Sequence, residues 1–260
     1  MDVDGTLTDA KETIHPMDTA LLQAFPTGIQ PVLTTGRSLL GARAVLRHNG
    51  LFQVGPLPLP GVFMNGGAAY LPGEVLREKH TLSQQTLAAL LGLTKMFTQT
   101  AFTFFSLERV FLVNPNPFAR HISQIHYLEA AEVDPERIPE EVVKLMILDQ
   151  NRDSLAKIKG LTTNLQVEGA YSLPYAFEIN PPGITKANTL VSLLKTMGLE
   201  DLPVYIVGDG ENDLSLFKGS VMSFAPSSAH PAVLTAADHI IPREKDGLLQ
   251  SIFNIMADIV

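Results

Sequence analysis

Apolar and polar positions alternate in two different rhythms along this chain. Toward the N-terminus, short apolar runs follow stretches with apolar residues at helical spacing. Residues 15–25 read as a helix with Pro16 near its start, 28–35 as a strand ending in a turn, and 36–50 as a helix stopped by Asn49-Gly50. Residues 61–67 form a short buried strand that runs into glycines. The C-terminal part repeats this grammar: helix 184–199, apolar strand 203–210 entering a glycine turn, helix 211–218, strand 220–225, helix 230–237, strand 238–242, and a terminal helix from about Asp246. Strands alternating with helices predict parallel pairing with helices on both faces.

The middle of the chain reads otherwise. Residues 101–114 look like a β-hairpin, 117–130 like an amphipathic helix, 142–149 like a strand, 152–161 like a helix, and 165–180 like a second strand pair. Hairpins with intervening helices point to an antiparallel α+β module inserted into the parallel one. The expected fold is therefore α/β: a Rossmann-like parallel-sheet core made of 1–70 and 181–260, with an inserted α+β cap domain over 71–180. The crossings fall at the Gly-rich stretch near 66–73 and the Pro-Pro-Gly at 181–183.

Composition narrows the function classes. A chain of 260 residues with 45% hydrophobic and 18% charged residues is an ordinary globular protein. Its formal net charge of -8 argues against a nucleic-acid partner held on a general basic surface. The absence of cysteine excludes disulfides, thiol catalysis and zinc-thiolate sites. No secretory pattern opens the chain and no apolar run reaches membrane-spanning length, so a cytoplasmic location and no membrane partner are expected.

In parallel α/β sheets ligands bind outside the carboxyl ends of the strands. Asp2 and Asp4, Thr34 and Thr35, and the run Gly208, Asp209, Gly210, Asn212, Asp213 all fall at predicted strand ends. Carboxylates converging there would raise one another's pKa, and a bound Mg²⁺ relieves this while keeping positions open for phosphate and water. Of two carboxylates spaced as in Asp2-Val3-Asp4, one can attack phosphorus while the other protonates the leaving oxygen. The second then takes a proton from the water that hydrolyses the aspartyl-phosphate. The hydroxyl of Thr35 and the ammonium of Lys186 can hold the non-bridging oxygens. A calcium loop from Asp2 fails on spacing, because its glycine stands fourth and its twelfth position is Thr13. A dinucleotide fingerprint fails because Asp213 stands where glycine is needed.

Asp2-Val3-Asp4-Gly5-Thr6-Leu7, Thr34-Thr35-Gly36-Arg37, Lys186, and Gly208-Asp209-Gly210-Glu211-Asn212-Asp213-Leu214 resemble, in order and spacing, the four motifs of the haloacid dehalogenase-like phosphatases. The resemblance is to the Cof-type branch, whose α/β cap of the C2B type is inserted between the second and third motifs. Met64-Asn65-Gly66-Gly67 and Phe177-Glu178-Ile179 are also similar to that branch.

The resemblance implies Asp2 as nucleophile and Asp4 as general acid/base. It implies phosphoryl binding by Thr35, Gly36, Lys186 and Asn212, and Mg²⁺ held by Asp2, the Asp4 carbonyl, Asp209 and Asp213. Asn65 and Arg37 are candidates on the substrate side. The implied activity is Mg²⁺-dependent hydrolysis of a small phosphomonoester, a sugar phosphate or similar metabolite. Alternatives are a phosphomutase, a glycosyl-phosphate phosphatase, or a non-catalytic phosphosugar-binding protein. Two departures stand out. Relatives carry an apolar strand before the first aspartate where this sequence has only Met1, so a natural chain with a few more apolar residues is expected. After the fourth motif, Ala225-Pro226-Ser227-Ser228 replaces a turn that often holds asparagine.

Overall fold

The computed structural model describes residues 1–242 and 247–259. The first sheet has the order β1-β2-β3-β4, with β1 (Leu33–Thr34) parallel to β2 (Gly61–Phe63). β3 (Ala68–Leu71) and β4 (Val75–Lys79) continue it as an antiparallel hairpin. Helices α1 (Pro16–Gln23) and α2 (Leu39–His48) accompany it. Both starts are capped by side chains: His15 accepts from the Met17 amide, and Ser38 accepts from the Gly41 amide.

A six-stranded sheet follows, in the order β7-β6-β5-β8-β10-β9. Its strands are β5 (Ala101–Phe105), β6 (Val110–Val113), β7 (Ala130–Glu132), β8 (Lys144–Leu148), β9 (Glu168–Leu173) and β10 (Ala176–Asn180). The helices of this region are α3 (Gln84–Met96), α4 (Pro117–Ile125) and α5 (Arg152–Thr162). Strand periodicity sorts the side chains onto two faces. Phe102 and Phe104, Leu145 and Ile147, and Phe177 and Ile179 pack on Leu90 of α3 and Leu155 and Ile158 of α5. The opposite parity, with Phe105, Met146 and Ala176, joins the core cluster of the first sheet. Lys144 and Glu178 share that parity, which turns both charges toward Gly36 and Asn65.

The chain then returns through α6 (Lys186–Thr196), whose start is capped by Thr185, to a third, all-parallel sheet β11-β12-β13. It comprises β11 (Tyr205–Val207), β12 (Met222–Pro226) and β13 (His239–Ile241), with α7 (Leu214–Phe217), α8 (Pro231–Ala236) and α9 (Leu248–Ile259). The expected helix start near Asp246 lies outside the described residues. Buried Asp18 of α1 caps α9 from a distance, accepting from the Leu248 and Leu249 amides at 2.8 Å each.

The first and third sheets meet at the chain's opening residues. The Met1 ammonium donates to the Val32 carbonyl at 2.8 Å, the Thr34 amide to the Met1 carbonyl at 2.8 Å, and the Asp2 amide to the Val207 carbonyl at 2.9 Å. Beside Met1, a cavity of about 270 Å³ opens between Val32 and Tyr205, lined also by Leu249 and Phe253. This arrangement is an α/β core with an inserted α+β unit. The strands up to Lys79 pair with β2, so the independent cap sheet is built from residues 101–180, and the expected boundary at 71 falls inside the β3–β4 hairpin. Among the described residues no helix is long and apolar enough to cross a membrane.

Candidate active site

Val3–Leu7 turns sharply away from the sheet in a wide helical turn in which Gly5 holds a φ of +69°. A side chain there would not fit, since a Cβ would meet the Asp209 carboxylate at 2.1 Å. Thr6, in the same turn, donates from its hydroxyl to Asp209 Oδ1 at 2.8 Å. The first motif therefore packs directly on the last one.

Lys186, the first residue of α6 and 1% exposed, stands between two carboxylates. Its Nζ donates to Asp2 Oδ1 and to Asp213 Oδ1, each at 2.8 Å. Asp213 is fully engaged, because its Oδ2 accepts from the amides of Asp209 and Gly210 at 3.1 Å each. It fixes the ammonium and the loop after β11 together. Asp2, Asp209 and Asp213 present carboxylate oxygens within 4.8 Å of one another.

The electrostatics follow from that crowding. Burial pushes the Asp2 carboxyl well above its ordinary range; Lys186 offsets part of this and the Asp213 and Asp209 charges add to it. Burial and the Asp213 charge raise Asp209 to about 6. Burial alone would push the Lys186 ammonium down, but Asp2 and Asp213 outweigh it and hold the charge in place. Three carboxylates against one ammonium leave a formal excess of two negative charges. An all-oxygen donor set with that excess fits a hard divalent cation.

Asp4 pairs with Arg37. Arg37 Nε donates to both Asp4 oxygens at 2.9 Å, and Nη2 donates to Oδ1 at 2.6 Å. Burial would raise the Asp4 carboxyl, but the Arg37 charge and hydrogen bonds win and hold it below the usual range. Arg37 was expected on the substrate side. Its remaining donors instead reach Glu12 Oε1 at 2.5 Å and the His126 carbonyl at 3.1 Å, because acceptors surround it on that side.

The other sequence candidates line the same mouth. The Thr35 hydroxyl accepts from the Arg37 amide at 3.1 Å, closing the turn after β1. The Gly36 carbonyl accepts from Lys144 Nζ at 2.7 Å. Asn212 donates to Asn65 Oδ1 at 3.1 Å, and Asn65 donates in turn to Glu178. Lys144 also donates to Glu178 Oε1 at 3.0 Å, so one buried network runs from Gly36 through the inserted unit to Asn212. A cleft of about 190 Å³ opens beside it, lined by Asn65, Glu168, Asn180, Lys186, Glu211 and Asn212.

Sequence reasoning missed Glu12, His126 and Lys144. Lys144 had a readable signal, a lysine inside the otherwise apolar run of β8, where a buried charge requires a partner. Glu12 and His126 carried none, since their meeting depends on how the inserted unit sits.

The haloacid dehalogenase-like hydrolase family matches residues 1–252. The chain is 26% identical to the chloroplastic endoribonuclease YBEY of Arabidopsis thaliana, over 97% of this chain but only 45% of that longer protein. It is 25% identical to the putative phosphatase YxeH of Bacillus subtilis, over 92% of this chain and 90% of the relative. Its fold matches the crystal structure of a haloacid dehalogenase-like hydrolase from Bacteroides thetaiotaomicron with a TM-score of 0.81 and 25% identity, over 98% of this chain and 97% of that one. The chain therefore belongs to the haloacid dehalogenase-like hydrolases.

Proposed function

We propose that this protein hydrolyses phosphomonoesters of small hydroxylated metabolites through an aspartyl-phosphate on Asp2, with Mg²⁺ as cofactor. The observation that carries the reading is the placement of Lys186 Nζ at 2.8 Å from both Asp2 and Asp213, with Asp209 in the same cluster. Asp2, Asp209 and the Asp4 carbonyl would hold the cation, with Asp213 close by, and the cation when bound would neutralise carboxylate and phosphate charge. The Asp2 carboxylate attacks phosphorus as the bond to the leaving oxygen breaks. This oxygen takes a proton from Asp4, which can carry one only once its bonds to Arg37, which hold it ionised, have loosened. Lys186, the Thr35 hydroxyl and Asn212 hold the non-bridging oxygens. In the second half Asp4 takes a proton from the water that attacks the acyl phosphate, and inorganic phosphate leaves.

The leaving group would occupy the cleft of about 190 Å³, a volume suited to a metabolite of sugar size. Its lining of amides and carboxylates suits hydroxyl groups. The test is phosphate release from sugar phosphates, nucleotides and cofactor phosphates, with and without Mg²⁺, beside an Asp2→Asn control. Metal-dependent turnover absent from the variant is expected; turnover that survives Asp2→Asn would overturn the mechanism.

A further inference from the structure

Arg37 does no chemistry in the reading above, yet it is one of the most completely bonded side chains in the molecule. Its side chain is 5% exposed, and every guanidinium nitrogen donates to an acceptor. Three parts of the chain supply those acceptors. Asp4 comes from the turn after the nucleophile, Glu12 from the short hairpin closed by the Thr8–Ile14 bridge, and the His126 carbonyl from the C-terminal end of α4 in the inserted unit. The His126 Nδ1 lies 3.2 Å from Arg37 Nη2 and 3.0 Å from Glu12 Oε1.

Two features single out Glu12 and His126. Glu12 has a φ of +59°, in the left-handed region that turns ordinarily give to glycine or asparagine. Its Oε2 is buried with no hydrogen-bond partner among the described residues, so its Oε1 contacts with Arg37 and His126 are what hold the side chain there. The His126 carbonyl is a free acceptor at the end of α4, where the helix dipole favours a cation, and the guanidinium takes that place. Asp4, Glu12 and His126 present donor atoms close enough for a metal ion, but the guanidinium already bonds all of them.

We infer that Glu12 and the cap residue His126 are positioning residues: they hold Arg37 in place, and through it aim the Asp4 carboxylate at the leaving oxygen. The inference rests on the phosphatase reading. The position of the cap thereby reaches the proton donor through a single guanidinium. Withdrawal of α4 removes the His126 contacts and leaves Glu12 alone to brace Arg37, whose shift would carry the Asp4 carboxylate with it, since the two are joined by a forked hydrogen bond.

The test separates aim from folding by the leaving group. A sugar phosphate must receive a proton as it departs, whereas nitrophenolate leaves 4-nitrophenyl phosphate without one. With Mg²⁺ present, kcat/KM reports the first phosphoryl transfer alone. Glu12→Ala is expected to lower kcat/KM about tenfold or more on the sugar phosphate and less than about threefold on the aryl ester, a part of the general-acid contribution. His126→Ala keeps the carbonyl that accepts from Arg37 and loses only the Nδ1 contacts, so it should show the same selectivity with a smaller loss. Glu12→Gln, which keeps an acceptor for Arg37, should recover most of the loss. Equal losses on both substrates, or none on either, would overturn the inference. A crystal structure of Glu12→Ala gives a readout independent of turnover: a displaced Asp4 carboxylate supports the brace, and an unmoved one overturns it. Failure of the phosphatase reading shows differently, as wild-type protein that releases phosphate from neither substrate, and the brace is then judged on that structure.

Discussion

Lys186 Nζ donates to Asp2 Oδ1 at 2.8 Å across a separation of 184 residues, and the return of the chain from the inserted unit is what makes the contact. A buried ammonium in that place answers a cluster of carboxylates, and the balance between them decides how the site responds to substitution.

Asp2→Asn is expected to abolish turnover, by about a thousandfold or more, because Asp2 as the proposed nucleophile acts as part of a unit whose members are not additive. Stability should move the other way. The substitution removes one of the clustered carboxylates, Asp2, Asp209 and Asp213, and leaves Lys186 paired with Asp213, so the melting temperature should hold or rise. Parallel activity and thermal-melting measurements check both halves. A variant that loses activity and several degrees of melting temperature together would point to Asp2 as a structural residue.

Without metal, stability should increase as pH falls through about 6. Asp209 is raised to about 6 in the folded protein, and Asp2 is raised as well. A carboxyl with a raised folded pKa binds its proton more tightly when folded than unfolded. Its stabilising contribution is therefore fully present below the unfolded value and lost as pH rises through the folded one. Asp4, held low by Arg37, contributes oppositely only in more acidic solution. Melting temperatures between pH 7.5 and 5 in chelator should thus rise toward acid. Saturating Mg²⁺ should stabilise the protein most at the upper end, where the carboxylates are ionised. A metal-free profile that is flat or falls toward acid would remove the case for a crowded anionic site.

The network through Lys144 joins the inserted unit to the turns at Gly36 and Asn65. Lys144 donates to the Gly36 carbonyl and to Glu178, and the two side chains are 3% and 7% exposed. Lys144→Met would strand the Glu178 carboxylate in the interior and should cost about 3–5 kcal/mol of stability. Adding Glu178→Gln should recover more than half of that loss, since the uncompensated charge is then gone. Urea denaturation of the single and double variants measures the coupling. Additive losses would mean that the pair is not the connection.

The parallel strands were legible because each is a compact apolar run followed by helical spacing, and the four motifs fixed where their ends meet. The hairpin β3–β4 was hidden. Its second strand, Val75–Lys79, is mostly exposed and charged, so no alternation marks it. Helix α3 has a readable start at Ser83, whose side chain caps it, but an apolar content around its whole circumference blurs its periodicity. Pairings that depend on tertiary placement stayed out of reach. Arg37 sits beside Thr35 in the sequence as a ligand would, and only the approach of Glu12 and His126 shows that it serves Asp4.

The cleft beside Lys186 makes a prediction about charge on the leaving group. Glu168, Glu178 and Glu211 border it along with the amides of Asn65, Asn180 and Asn212, and among the described residues Lys186 is the one cation lining it. That ammonium is committed to Asp2 and Asp213, so nothing on the wall compensates a second anion. A carboxylate approaching such a wall is repelled by about 1 kcal/mol per half-screened contact, whereas a neutral polyol finds only acceptors and amides. Phosphoesters of neutral sugars should accordingly exceed phosphoglycolate in kcat/KM by about tenfold or more, as one to two such contacts imply. The gap should narrow in high salt, and also in Glu168→Gln and Glu211→Gln, whose side chains lie at the rim and do not enter the buried network. Equal kcat/KM for the two substrate types, unaffected by salt, would show that the leaving group does not sit in this cleft.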